Sequence, residues 1–514
     1  MNNPIGKIEG EDLTNIFVEQ FSLHSNHISN ILSQFDKTDT FNKWHNILLS
    51  IEEFINIPLN EIGDTNDLET ILSTPLDIGS IGSEHFRKTI EIIQHNFNEN
   101  VVRRFINLFT MTMAINLSFK VHGIHLFNTG EDHSDTIGGA VIYYQSRRRY
   151  FSTILYLIPH ISNGIKKSLE LDLLNEFLPI IELHCIPVTS INNQQILQKL
   201  YNDFYVISDG NKLTGNYHYQ PLDELFLEPE RISIVDQMTF RNEQINQLDL
   251  LSVPKNKVFS ISELKNSILL IESAYLFYEI QDSDFQIFKE VIFLLLENSI
   301  DDYFISIAKE DFQKIISNYS NSQQTKIYNY LLNNTKDYFE NLNSFHPLIE
   351  LNSTYISNVN LLMRFLYYFK NVFLNRKKRF QIHSGFVFED IVKNELSRFG
   401  FDVTDIKRIN RKEFDVVTIK NGIIYNFQCK NNLVDLTNII SSQKKFIRYN
   451  RYLVNYYNKA LYKEELREAL LKNELKLKTI KHFVISRFPI ITNNTRVISF
   501  NNLTGWITDN FSTQ

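Results

Sequence analysis

The sequence predicts a mainly α N-terminal region followed by a C-terminal α/β domain with an α-β-β-β-α-β core. Three observations carry this. The 514 residues include only 16 glycines and 11 prolines, which argues against a turn-rich all-β chain. Apolar residues recur at three- and four-residue spacing in much of the first 375 positions, as in Ile16, Phe17, Phe21 and then Ile28, Ile31, Leu32. After the basic run Arg376-Lys377-Lys378-Arg379, helical faces exchange with short apolar strands.

The composition, 43% hydrophobic and 22% charged, is that of a folded globular chain. The length suggests about two to four domains. Residues 1–208 read as helical with some strands. The runs 140–144 and 151–159 fit either a strand or a buried helix, and periodicity does not decide. Residues 209–256 read as a loop-rich connection, because Gly210, Gly215, Pro221, Pro229 and Pro254 fall there among acidic groups. Residues 257–375 return to a helical pattern, with Leu264, Ile268, Leu269 and Phe288, Val291, Ile292, Leu295. The last unit is 376–514. Two cysteines and no CxxC exclude a disulfide framework and imply a reducing compartment. The N-terminus lacks a signal-peptide layout, and no apolar run approaches the roughly 20 residues that cross a bilayer. The expectation is a cytoplasmic protein with no membrane partner.

Charge divides unevenly along the chain. Residues 376–514 carry 25 Lys and Arg against 13 Asp and Glu, a surplus of +12. That leaves −19 on residues 1–375 and −7 in total. A basic end on an acidic body suggests a polyanion at that end, and nucleic acid is the usual one. A solvated basic surface is the plainer alternative.

The C-terminal elements follow in order. Ser384 can cap a helix over 385–398 whose apolar face is Phe388, Ile391, Val392, Leu396 and Phe399. Gly400 ends it. Strands are predicted over 401–409, 413–419 and 423–430, the last two joined by an Asn421-Gly422 hairpin turn. Helices follow over 437–457 and 463–475, strands over 482–487 and 496–500, and a closing helix over 503–510.

Within that frame, ionisable groups sit where an apolar strand would exclude them. Asp415 falls in the second strand, and Gln428 and Lys430 in the third. Gln428 and Lys430 share one face because strands alternate, and Cys429 takes the other. The hairpin register can bring Asp415 beside them, and the first helix can offer Glu389. Hydrolysis of a phosphodiester needs hydroxide near neutral pH and charge stabilisation, both of which a divalent cation supplies. Magnesium takes hard oxygens. Candidate ligands are the Asp415 carboxylate, the Gln428 amide oxygen, the Cys429 backbone carbonyl and Glu389. Lys430 can orient or deprotonate water, or steady the transition state.

The ordered set Glu389, Asp415 and Gln428-Cys429-Lys430 resembles the PD-(D/E)xK nuclease superfamily, with its restriction-endonuclease-like fold. The Gln-x-Lys form is similar to the Mrr-type branch. The resemblance spans about residues 381–514, and residues 1–380 match no named pattern. The Pro-Asp of the namesake motif is Phe414-Asp415 here, which makes the motif less specific. The resemblance implies Mg²⁺-dependent DNA cleavage, with Mn²⁺ as a substitute. Asp415, Gln428 and Lys430 would form the catalytic core and Glu389 the accessory acid. A nuclease fused to a large partner region also resembles bacterial restriction or phage-defence effectors. The N-terminal region would then sense a trigger, bind a partner or restrain the nuclease. A second copy of the chain, and a regulatory ligand or protein at that region, stay open as further partners.

Lys444, Arg448 and Arg451 lie at i, i+4 and i+7 on the following helix, with Tyr449 and Tyr452 between them. They are candidates for phosphate contacts, weighed against a solvated face. Cys429 reads as a small core residue and His383 as a loop histidine without a role. His122, His125, Asp132, His133 and Asp135 read as polar loop residues rather than a metal site. Arg147-Arg148-Arg149 reads as internally paired. The competing picture puts Gln428 and Lys430 on the exposed face of an edge strand, with Asp415 paired to Arg411. The alternative function is a non-catalytic nucleic-acid-binding protein with a degenerate nuclease fold.

Overall fold

The computed structural model describes residues 4–60, 62–128, 134–210, 212–217, 248–342, 344–432, 443–487 and 490–511. Long helices dominate the N-terminal region, among them Gly10–Leu32, Lys37–Asn60, Glu99–Val121 and Ile137–Ile161. The runs 140–144 and 151–159 both lie in the last of these, so the strand alternative there is corrected. That helix is buried on most sides, and a helix apolar all round shows no period to read. Two of the three consecutive arginines pair internally. Arg148 grips buried Glu52 through Nε at 2.7 Å, and Arg147 holds Glu182 through Nε at 2.9 Å. Arg149 lies over the Tyr150 ring.

Two sheets interrupt these helices. Gly6–Glu9, Tyr205–Ser208 and Leu213–Gly215 form an antiparallel sheet. Residues 257–375, read as helical, also hold a five-stranded sheet. Its strands, in spatial order, are Ser299–Ile300, Phe304–Ala308, Thr354–Asn358, Leu348–Leu351 and Leu332–Asn333. They are two to five residues long, too short for a period of two to outweigh the helices beside them. Of the predicted loop 209–256, residues 211 and 218–247 lie outside the described residues, and 248–256 carries no helix or strand.

The C-terminal domain positions the site. Helix α1 (Lys378–Arg398) leads to β1 (Asp402–Val403), β2 (Val416–Lys420) and β3 (Ile423–Lys430). Helices α2 (Gln443–Glu465) and α3 (Glu468–Leu475) cross over to β4 (Ile480–Ser486). Then come β5 (Val497–Ser499) and α4 (Leu503–Phe511). The sheet order is β5-β4-β3-β2-β1, with β2 antiparallel to β3, and with β3, β4 and β5 parallel. Parallel neighbours need a crossover, and α2 with α3 provides it. Asn421 and Gly422 both take positive φ (+51° and +70°), the geometry of a tight hairpin turn. Gly400 (φ +73°) ends α1.

Several predicted limits move. Helix α1 begins at Lys378, so Ser384 is not its cap. Ser384 is buried inside the helix and bonded to Asn431. His383 is likewise helical, and its ring stacks on Tyr278. The strand predicted over 401–409 is broken into Asp402–Val403 and Arg408–Ile409, the second paired to Lys412–Glu413. Helix α2 ends at Glu465 rather than 457.

Phe388, Val392 and Leu396 of α1 pack on Tyr425, Phe427 and Ile485, with Leu503 and Ile507 of α4. The other face is shared: Val417, Ile424 and Leu471 pack within the domain, while Val484 joins a core that reaches beyond it. Phe446, Ile447, Leu453, Tyr457 and Leu461 of α2 join Leu13, Phe17, Leu197 and Val206 of the N-terminal region in one core. The basic run is part of this junction: Lys377 pairs with Asp282 and Arg379 with Glu279, each at 2.8 Å. Among the described residues no helix is long and apolar enough to cross a membrane.

Candidate active site

The candidate site lies at the C-terminal end of the central strand β3. Asn426, Gln428 and Lys430 alternate with Phe427 and Cys429, so the polar groups share the face toward α2. Asn426 Nδ2 donates to buried Glu464 of α2 at 2.8 Å. The Lys430 Nζ donates to Gln428 Oε1 at 3.0 Å and lies 6.0 Å from the centroid of the Tyr456 ring. Being third of five strands, β3 is no edge, which excludes the exposed-edge picture.

Asp415 stands one residue before β2, not inside it. Val416 pairs with Phe427, so Asp415 faces the level of Gln428. Its Oδ2 accepts the backbone N–H of Cys429 at 2.8 Å, and Arg411 is exposed. The N–H and C=O of one strand residue point to the same side. The Cys429 carbonyl therefore points past the start of β2, toward Asp415. The next peptide points the other way, because Lys430 C=O accepts from Arg487 N–H at 2.9 Å.

Glu389 comes from α1. Desolvation, then the charge of Asp415, pushes its carboxyl up to about 7 from an ordinary 4.5, against the pull of Lys393 and Lys430. The carboxyl of Asp415 is raised too, first by desolvation, with Lys430 and the Cys429 N–H opposing. Burial, then both carboxylates, pushes the Cys429 thiol up, which is the opposite of an activated nucleophile. The four residues thus act on one another across α1, the start of β2 and the end of β3.

An acid pair that resists ionisation is a fit for a divalent cation, whose charge offsets both the repulsion and the desolvation. Glu389, Asp415, the Gln428 amide oxygen and the Cys429 carbonyl are all hard oxygens of the kind magnesium takes. Among the described residues no group of three or more His, Cys, Asp or Glu could hold a metal. The set here has two acids and completes itself with an amide and a main-chain oxygen.

The raised carboxyl gives a stability signature in metal-free protein. A group whose folded pKa is raised stabilises at low pH and loses that contribution as pH climbs through the folded value. For Glu389 the window runs from 4.5 to about 7. In EDTA, Glu389→Gln is expected to raise the melting midpoint at pH 8 by about 2 °C, with the gain shrinking toward pH 5. Scanning calorimetry at both pH values checks this; an equal shift at both would mean the carboxylate is not strained.

Of the three predicted phosphate contacts, Lys444, Arg448 and Arg451 are all exposed on α2. Arg451 Nη2 donates to the Lys199 carbonyl at 2.6 Å, so this arginine fastens α2 to the N-terminal region. Asp132 and His133 lie outside the described residues, and Asp135 pairs with Lys120.

Sequence reasoning missed the residues that brace the strand end. Asn431 Nδ2 donates to Ser384 Oγ, and Arg487 Nη1 donates to Asn431 Oδ1, each at 2.8 Å. The Tyr457 hydroxyl meets Ser486 Oγ at 3.2 Å. These bonds tie β3 to α1, α2 and β4 directly behind Lys430. The signal available was the Asn431-Asn432 pair following Gln-Cys-Lys. Comparison with family models, curated proteins and solved structures returns no match.

Proposed function

We propose that this chain is a metal-dependent endodeoxyribonuclease of the PD-(D/E)xK type, with its active site at the C-terminal end of β3. The observation that supports it is the convergence of Glu389, Asp415, Gln428 and Lys430 from separate elements. Bound Mg²⁺ would supply Lewis-acid stabilisation and an ionised water at neutral pH. The chain's own residues do the rest. Asp415, fixed by the Cys429 N–H, and Glu389 hold negative charge where the cation belongs. Gln428 fixes the Lys430 ammonium through one of its three protons, leaving two for phosphoryl oxygens. That ammonium stabilises the charge that grows on the phosphate in the transition state. The acidic N-terminal region shares a core with α2, which fits a sensor or restraint acting on the nuclease in restriction or phage defence.

The test is cleavage of supercoiled plasmid by the full-length protein. Nicking or linearisation is expected with Mg²⁺ or Mn²⁺, none with EDTA, and none in Asp415→Ala. Plasmid binding without cleavage under either metal would select the non-catalytic DNA-binding alternative.

A further inference from the structure

Helix α2 carries a second feature that the catalytic reading does not use. Lys445, Tyr449, Tyr452, Tyr456, Lys459 and Lys463 follow one another at four- and three-residue steps, which puts all six on one stripe of the helix. The opposite stripe, Phe446, Asn450, Leu453, Tyr457 and Leu461, is buried. The tyrosines form a ladder. Tyr449 and Tyr452 stack at 6.3 Å with planes 23° apart, and Tyr452 and Tyr456 at 6.5 Å with planes 7° apart. Tyr452 is 61% exposed and Tyr456 43%. No acidic side chain lies on the stripe. Its middle reaches the active site, where the Tyr456 ring lies under the Lys430 ammonium.

Two exposed rings, Tyr452 and Tyr456, continued by half-buried Tyr449 and with cations before and after them, match one polymer in particular. Bases stack on such rings whatever their sequence, and phosphates take the cations. In a duplex the base faces are already covered by their neighbours, so the rings would have nothing to meet. From Tyr449 to Tyr456 the helix rises about 10 Å, a length that spans two or three unpaired nucleotides.

We propose that the Tyr449–Tyr452–Tyr456 ladder is a stacking platform for a single DNA strand that leads its phosphate to Lys430. This rests on the nuclease reading for the role of Lys430 but not for the binding itself. An unpaired stretch is therefore the substrate class that the site engages, either a free strand or a locally opened duplex.

The test uses the full-length protein in EDTA, where no cleavage intervenes. Fluorescence anisotropy compares a labelled oligothymidylate of about 20 nucleotides with a duplex of equal length. The wild type should prefer the single strand. Tyr452→Ala should weaken oligothymidylate binding about tenfold, Tyr452→Phe should stay within about twofold, and duplex binding should not move. Equal losses on both substrates, or no loss on either, overturns the proposal. So does a change of oligomeric state in Tyr452→Ala with binding intact, which would make the ladder a self-interface. Tyrosine-dependent strand binding together with absent Mg²⁺-dependent plasmid cleavage would keep the ladder and sink the catalytic reading.

Discussion

Lys430→Ala is expected to slow plasmid cleavage by about 10²–10³-fold, the loss that follows removal of one preorganised donor to a developing oxyanion. Affinity for DNA should change by no more than about threefold, because one phosphate contact among several carries little of the binding. The fold should hold, since Lys430 is half-buried and its carbonyl, not its side chain, bonds to Arg487. Lys430→Arg should not restore the rate. A guanidinium is longer and planar, and cannot occupy the same point beside Gln428 Oε1. Single-turnover rates at saturating protein are the measurement. Cleavage at the wild-type rate in Lys430→Ala would place the chemistry elsewhere in the chain.

The second large effect is far from the site in sequence. Leu197 is fully buried in the core that α2 shares with the N-terminal region. Leu197→Ala is expected to cost about 2–5 kcal/mol, as deletions of fully buried leucine side chains do. The loss should appear in nuclease activity on warming as well as in N-terminal signals, since Phe446, Leu453 and Tyr457 rest on the same cluster. An excised 376–514 fragment should not fold to a soluble monomer, because the part of α2 that meets Leu13, Phe17, Leu197 and Val206 would be left bare. Thermal unfolding of the variant, and solubility of the fragment, check the two statements. A stable, active fragment would show that the shared core is dispensable.

How much of this was legible before coordinates depends on element length and on which face is wet. Helix α1 kept its polar outer side, so the stripe of Phe388, Val392 and Leu396 was visible. The β2–β3 hairpin was legible because Asn421-Gly422 names its own turn. Ile137–Ile161 was ambiguous because burial on nearly all sides erases amphipathic contrast. The sheet containing Phe304–Ala308 was missed because long-range pairing, not local pattern, makes such short strands. At the site, the acid, amide and lysine positions were readable from alternation and spacing. The bracing by Ser384, Asn431 and Arg487 was not, because those contacts join residues 47 and 56 positions apart. Arg451 shows the converse. Its position in a basic stripe suggests phosphate, and nothing in that pattern shows the bond its Nη2 makes to the Lys199 carbonyl.

The Asn421-Gly422 turn lies at the far end of β2 and β3, about 20 Å along the strands from Asp415 and about 26 Å from Lys430, and both turn residues are exposed. That makes it an insertion point: a short epitope or a dye-bearing loop placed there would travel with β3 while staying clear of the candidate site at its other end. The same turn offers the cut for a circularly permuted chain whose new ends report on whether the two halves of the hairpin stay together.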